Sequence, residues 1–536
     1  MFATLVLTNG KIMTMDEHQP QASAIAIHGD RILAVGTDAA MKRLLAPGGE
    51  WLDLRGRTVT PGLVDAHVHF QWYSLGLQVV DLFEVPSLDE ALARVRSAAA
   101  NHPTGQWLRG RGWKQDLWPD RAWPTAAHLD AIAPHIPMLL TEKSGHSAWA
   151  NSLALKMAGI TAHTPDPEGG QIQRDGNGQP TGILFETAIN LVGDIIPKPT
   201  VDQIAAAMRV GQEKAWQAGL TGIHDFDGPF CFRALQQLHQ NGELGLRVVK
   251  NIPAEKLDHA VEVGLQTGFG DEWLRIGGIK IFADGALGPR TAAMIEPYEG
   301  ESDNRGIVVT DKEAMKEIAS TASLHGLSVT VHAIGDRANH DIIDVYEAVR
   351  QEEAARGVRP QQRRHRIEHV QILHPSDIPR LARHQIIASM QPIHATGDMA
   401  MADRYWGDRA QTSYAWRTLA ETGALLVFGS DAPVESIEPI RGIHAAVTRR
   451  RADGSPGEEG WYPAQRLSLE EAIRGFTTAA AITSGQEHHL GSLTPGKLAD
   501  LTIFDRDITT IPPQELVTTT IAATIVGGEF KVRIIS

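Results

Sequence analysis

The sequence predicts an α/β protein: a (β/α)8 TIM barrel with a large insertion after strand 1, plus a small β-sandwich-like domain formed by both chain ends. Three observations carry this prediction. The middle of the chain alternates strand-like and helix-like segments, the mark of βα units. Both termini carry short β-type runs instead. Polar residues able to bind metal stand at the ends of apolar strand-like runs, and in a barrel those ends surround one mouth.

The first 60 residues read as short strands. Thr4-Leu5-Val6-Leu7 runs into Asn9-Gly10, a turn signal, and Gly29-Asp30 separates residues 24–28 from 31–35 as a hairpin turn would. Residues 59–65 enter an apolar strand interrupted by Pro61-Gly62. The far end mirrors this pattern. Residues 500–504 and 521–526 are β-rich, and Gly527-Gly528 turns the chain into residues 530–535. Residues 1–60 with 490–536 are therefore expected to form one small β domain, and residues 61–489 the barrel.

Barrel strands are expected at residues 63–69, 222–226, 246–252, 276–283, 328–334, 366–370, 386–391 and 425–430, with helices between most of them, as at 311–325 and 341–356. The gap between the first two strands far exceeds one βα unit of roughly 30 residues. Residues 71–200 are thus read as an insertion lobe. Trp72, Trp107, Trp113, Trp118, Trp123 and Trp149, half of the 12 tryptophans, fall there. They form either the insertion's own core or the wall of an apolar substrate pocket.

Composition narrows the function. Among 536 residues, 42% are hydrophobic and 21% charged, enough for a sizeable core. The net charge of −14, from 50 Lys+Arg against 64 Asp+Glu, argues against nucleic acid or an anionic membrane as partner. A single cysteine, Cys231, permits neither an internal disulfide nor a cysteine zinc site, so a metal would fall to His, Asp, Glu or a modified Lys. No run of about 18 apolar residues offers a membrane span. The first ten residues lack a signal-peptide pattern, and a cytoplasmic location is expected.

The chemistry sits at the strand ends. His67-Val68-His69 closes the apolar run Leu63-Val64-Asp65-Ala66, and residues i and i+2 of a strand share a face. Two imidazoles are thus presented together, and burying them without partners would be costly. Lys280, His332, His369 and Asp431 end or lie near the ends of four further predicted strands. Each has an ordinary structural explanation when taken singly: an ion pair for Lys280, a helix cap for Asp431, a satisfied core histidine for His332 or His369. Together they point at one barrel mouth. His224 in predicted strand two and His394 after predicted strand seven are further groups for supporting or structural roles. No Walker loop, no Gly-x-Gly-x-x-Gly turn and no Gly-x-Ser-x-Gly elbow stands out.

At this point the chain resembles the amidohydrolase superfamily. The resemblance rests on Pro61-Gly62-Leu63-Val64-Asp65-Ala66-His67-Val68-His69, on Thr8-Asn9-Gly10-Lys11-Ile12, and on Gly491-Ser492-Leu493-Thr494-Pro495-Gly496-Lys497-Leu498-Ala499-Asp500-Leu501. It is closest to the family-3 branch, which includes N-substituted formamide deformylases. That likeness runs through Gly110-Arg111-Gly112-Trp113, Ser144 to Asn151, Phe282 to Gly288 and Gly429-Ser430-Asp431-Ala432-Pro433, essentially the whole chain. The resemblance implies a carboxylated Lys280 bridging two divalent metals. His67 and His69 would hold one, His332 and His369 the other, and Asp431 would bind a metal and take a proton. Without carboxylation one metal is the alternative, with Glu186 as a substitute ligand. Such ligands suit Zn²⁺, with Mn²⁺, Fe²⁺, Co²⁺ and Ni²⁺ open. His146, in the Gly-His-Ser stretch, is implied as a substrate or oxyanion contact. Trp113, Asp284, Arg290 and Arg337 are further pocket candidates.

The expected function is hydrolysis of a carbon–nitrogen bond in a small-molecule amide, a linear N-acyl or N-formyl amine, through metal-activated hydroxide with Asp431 as general base and then acid. Hydrolytic deamination or opening of a cyclic amide is the alternative within hydrolases. Isomerase chemistry is more remote. A metal-binding sensor or scaffold protein is the non-enzyme alternative, which a proton acceptor beside the ligands disfavours. Family likeness also points to a homodimer.

Overall fold

The computed structural model describes every residue except 84, 101, 104, 116, 117, 143–146 and 536. The chain divides into two compact units, residues 1–73 with 208–536, and residues 74–207.

In the first unit, eight parallel strands pair in chain order: Leu63–Val68, Leu220–Asp225, Arg247–Pro253, Leu274–Phe282, Ser328–Ala333, Arg366–His369, Ile387–Met390 and Leu426–Phe428. All eight overlap the predicted strands. Beyond the last strand, Asp431 N–H donates to His67 O at 2.7 Å and His69 N–H to Ala432 O at 2.9 Å, which closes the sheet on itself. The closure is tight. A Cβ on Gly429 would lie 2.5 Å from His67 N, so only glycine fits. Val329, Val331, Ile279 and Ile281 are buried along the strands, as parallel strands covered on both faces require.

Helices follow the strands. Lys312–Leu324 starts where expected, because Asp311 accepts the Ala314 N–H at 2.8 Å. The next helix, Asp336–Ala355, begins before the expected residue 341. Gly335 is its N-cap, and the Asp336 carboxylate accepts the Ile295 N–H at 2.7 Å, a partner from the preceding loop that local periodicity does not reveal. No helix among the described residues is long and apolar enough to cross a membrane.

The chain ends build two sheets in this same unit. One has the order Arg31–Gly36, Ala24–His28, Ala3–Thr8, Leu45–Asp53. The other joins both termini: Glu529–Arg533, Ile521–Val526, Leu501–Phe504, Thr58–Pro61, Lys11–Met13, Gln21–Ala22. Leu5 and Leu7 from the first sheet and Val59, Leu501 and Ile525 from the second share one apolar core. Val6, alternating with Leu5 and Leu7, packs on the opposite side with Met41, and a register shift between Ala3 and Leu5 brings Ala3 to that side too. Residues 1–60 and 490–536 fall within the same compact unit as the barrel strands. Polar contacts cross between the sheets and the barrel: Arg247 pairs with Asp500, Thr502 Oγ1 donates to Gly219 O at 2.7 Å, and Thr524 Oγ1 donates to Trp216 O at 2.7 Å.

The second unit, residues 74–207, has its own six-stranded sheet: Gly170–Arg174, Pro180–Glu186, Ser147–Ala150, Met138–Glu142, Leu108–Trp113, Val80–Asp81. Trp113, Trp118 and Trp149 are buried in its apolar core with Leu129 and Leu140.

Candidate metal centre

His67 and His69 leave the first barrel strand, Lys280 sits near the end of the fourth, His332 and His369 near the ends of the fifth and sixth, and Asp431 just beyond the eighth. The closed barrel brings them together. Ring centroids lie 4.9 Å apart for His67 and His369, 4.6 Å for His332 and His369, and 5.7 Å for His67 and His69. Asp431 Oδ1 is 3.5 Å from His67 Nε2 and 3.4 Å from His69 Nε2. His394, in the first turn of the helix Pro392–Trp406, joins them with Nε2 3.7 Å from Asp431 Oδ2. The Lys280 amine lies over the Phe226 and Phe282 rings at 4.9 and 4.6 Å, and Phe226 stacks on His67 at 3.9 Å.

A layer of acceptors orients these imidazoles. His67 Nδ1 donates to Glu368 Oε2 at 2.6 Å, His69 Nδ1 to Asp227 Oδ1 at 3.1 Å, and His369 Nδ1 to Gln391 Oε1 at 2.8 Å. His332 Nε2 donates to Gly285 O at 2.8 Å. In each ring the opposite nitrogen keeps its lone pair, the arrangement that metal-binding histidines need. The acceptors are held in turn. Glu368 also takes Arg366 Nε at 2.6 Å and the Thr330 hydroxyl. Asp227 Oδ2 accepts Gln71 N–H at 2.7 Å, while Lys250 donates to Asp227 O and pairs with Asp225 at 2.7 Å. Asp65 accepts N–H groups from His67 at 3.1 Å and Ser430 at 2.9 Å, tying the first strand to the eighth.

Electrostatics favour neutral rings. Burial, then the Lys280 charge, holds His67 well below the usual imidazole value and His332 at about 3. Burial and the neighbouring His332, His67 and Lys280 do the same to His369. His69 differs: burial lowers it, but Asp227, Asp431 and Asp225 outweigh that and the net shift is upward. Burial lowers Lys280 to about 8 against the pull of Glu368 and Asp431. Burial raises Asp431 although His394, His69 and Lys280 oppose it.

The backbone is strained at this point. His369, Val370 and Asp431 have φ of 76°, 44° and 61°, left-handed conformations that non-glycine residues rarely adopt and that cluster at functional sites.

The donor set fits a divalent cation. Ligand atoms of His67, His69 and Asp431 all lie within 4.8 Å of one another; those of His369, His394 and Asp431 do as well, so by distance alone His394 could serve as a ligand or as the neighbour of one. Asp431 Oδ1 is buried without a hydrogen-bond partner, a state that costs free energy unless something fills it. Imidazole and carboxylate donors suit zinc and its first-row neighbours.

Of the other predicted contacts, Asp284 reaches the cluster, its Oδ1 3.5 Å from His332 Nε2. Trp113 is fully buried in the core of the 74–207 unit, its Nε1 donating to Leu140 O at 2.8 Å and its ring 6.2 Å from Trp149, so it is a packing residue. Asp284 is a backbone staple: it accepts N–H groups from Ala293, Ile334 and Gly335 at 2.8, 3.0 and 2.8 Å, and burial pushes its carboxyl up to about 7. Arg290 pairs with Glu301, and Arg337 lies 3.7 Å from Asp341 one helical turn on. Arg290 is half-buried and Arg337 exposed, and neither of these ion pairs involves the histidine cluster. Glu186 ends a strand of the 74–207 unit at an exposed position with φ 50°. His146 lies outside the described residues. His224 points into the barrel and contacts Arg366 through Nδ1 at 3.0 Å, one step behind Glu368.

Sequence reasoning passed over Glu368, Asp227 and Gln391. A signal existed for two of them. Arg366 and Glu368 share one face of a strand by i, i+2 parity, as do Asp225 and Asp227 at a strand end.

A barrel mouth that gathers imidazoles, a carboxylate and a lysine amine around one point is the site of a metal-dependent enzyme. The model of the amidohydrolase family matches residues 50–532, and the chain belongs to that family of hydrolases. It is 36% identical to the protein LONG AFTER FAR-RED 3 of Arabidopsis thaliana over 98% of this chain and 91% of that protein. It is 30% identical to the N-substituted formamide deformylase of Arthrobacter pascens over 98% of each chain. A solved metal-dependent hydrolase from Pyrococcus furiosus superposes with a TM-score of 0.77 at 30% identity, covering 94% of this chain and 99% of that one.

Proposed function

We propose that this protein hydrolyses the carbon–nitrogen bond of a linear amide, an N-formyl or N-acyl amine. The observation that carries the reading is the buried, unpartnered carboxylate oxygen of Asp431 beside the ligand nitrogens of His67 and His69. A cation held by the site without catalysis does not need a strained carboxylate kept ready beside it. Likeness to the Arthrobacter pascens deformylase along nearly the full length of both chains favours the linear amide over cyclic substrates.

Two cations fit the proposal. His67 and His69 would hold one, His332 and His369 the other, and a carboxylated Lys280 would bridge them. Lys280 has no hydrogen bond or ion pair among the described residues, and its amine rests only on two phenyl rings, so it is free for that modification. Zinc is the proposed metal. A divalent cation bound here lowers the pKa of water and polarises a carbonyl oxygen. Asp431 then takes the proton of the attacking water on its free carboxylate oxygen, holds it, and returns it to the leaving nitrogen as the carbon–nitrogen bond breaks. Glu368 and Asp227 keep the Nδ1 protons of His67 and His69 outward throughout.

The test is release of free amine from a panel of N-formyl and N-acyl amines by the metal-loaded protein and by Asp431→Asn. The reading expects release by the wild type only, with metal still bound in both proteins. Ammonia release from cyclic amidines without amine release would move the protein to deamination. Full activity in Asp431→Asn would refute the assigned role.

A further inference from the structure

Among the described residues five histidines face the mouth, and four of them are built alike. In His67, His69, His332 and His369 the outer nitrogen meets an acceptor: a carboxylate, a carboxylate, a backbone carbonyl and an amide oxygen. A neutral imidazole carries one proton. An outer acceptor claims it and leaves a lone pair facing inward.

His394 is built the other way. Its outer Nδ1 meets the amide nitrogen of Gln371, a donor, at 3.4 Å. With that donor outside, a neutral ring would turn its lone pair outward and carry its proton on Nε2, facing the site. An N–H cannot bind a cation. That Nε2 is buried and has no hydrogen-bond partner, since Asp431 Oδ2 at 3.7 Å is beyond bonding reach. The ring is nonetheless fixed. It lies parallel to His369, 6° between planes and 6.1 Å between centroids, and the His394 N–H donates to Gln391 O at 3.0 Å. A rigid, buried, unused donor beside the proton acceptor is the form that transition-state stabilisation takes.

We infer that His394 is a catalytic hydrogen-bond donor to the substrate oxygen, not a metal ligand. This rests on the hydrolase reading above. As the water oxygen bonds to the carbonyl carbon, the π pair moves onto the carbonyl oxygen, which accepts the His394 Nε2–H bond without taking the proton. The pair returns as the carbon–nitrogen bond breaks, and the nitrogen leaves with the proton that Asp431 held.

The experiment uses the full-length, metal-loaded protein with three variants. His394→Ala should keep the wild-type metal content, lose kcat by about 10²- to 10³-fold and change KM little. His394→Gln, which keeps an N–H donor, should recover part of that loss. Gln371→Glu places an acceptor behind the ring, draws the proton to Nδ1 and should depress kcat with His394 still present. Loss of a metal equivalent in His394→Ala would make His394 a ligand and overturn the inference. So would an unchanged kcat in His394→Ala or in a folded Gln371→Glu. Nitrogen NMR of histidine-labelled wild type reads the tautomer without any substrate, with the resonance identified by its loss in His394→Gln. A proton found on Nδ1 refutes the inference even if no amide is hydrolysed. If the Nε2–H tautomer and metal content hold while no amide is cleaved, the failure belongs to the substrate reading.

Discussion

At the base of the barrel Glu353 is buried, yet it accepts hydrogen bonds from His365 at 2.9 Å, Ser323 at 2.6 Å and Arg350 at 2.5 Å. Burial alone would raise its carboxyl, but these partners hold it at about 2. At the mouth Asp431 is also buried; its Oδ1 makes no hydrogen bond, lies 3.5 and 3.4 Å from His67 and His69 Nε2, and burial pushes the carboxyl upward. Arg247 and Asp500 repeat the pattern of the base, with both side chains almost excluded from solvent and bonded to each other twice. Buried charge at the base is neutralised within the chain. Asp431 Oδ1 at the mouth has no hydrogen-bond partner among the described residues, and the left-handed backbone at His369 and Asp431 adds to what the mouth costs in stability.

Substitutions can break this contrast. The largest effect is expected at the open end: Asp431→Asn should lower the turnover rate by about 10²- to 10⁴-fold with little change in the denaturation midpoint, read by amine release and urea unfolding. Arg247→Ala at the base should do the reverse, costing about 3–5 kcal/mol of stability by stranding Asp500, while activity per folded molecule stays near wild type. A large loss of turnover in the folded Arg247→Ala protein would erase the distinction.

Asp227→Asn sharpens the contrast within the mouth itself. It removes a charged acceptor behind His69 without touching a ligand atom, and should weaken metal affinity by about 10- to 100-fold in a chelator competition. The smallest effect belongs to the surface. Arg474 and Glu470 form an exposed i, i+4 pair at 2.9 Å, and Glu470→Gln should change stability by less than about 0.5 kcal/mol and activity not at all.

The same contrast explains what the sequence could reveal. The strands were legible because buried parallel strands need apolar runs, and the cluster at the mouth because His67, His69, Lys280, His332, His369 and Asp431 interrupt or end those runs. Residues chosen for chemical type alone fared differently. Arg290 and Arg337 have the right charge for a substrate carboxylate, but charge does not say which way a loop faces, and both meet surface acids instead. Trp113 is one of several tryptophans whose packing against each other is settled by a sheet register that no local pattern shows. His394 was visible as a residue but not as a member of the site. Its direction depends on the turn entering Pro392–Trp406 and its tautomer on Gln371, and neither is written in the residues beside it.

The most direct test of the account is the number of metal ions per chain, by elemental analysis, in the purified wild type and in Lys280→Ala. The account predicts about two in the wild type, falling to one or none when the bridging lysine is removed. No metal in either protein, and none taken up on reconstitution, would contradict it.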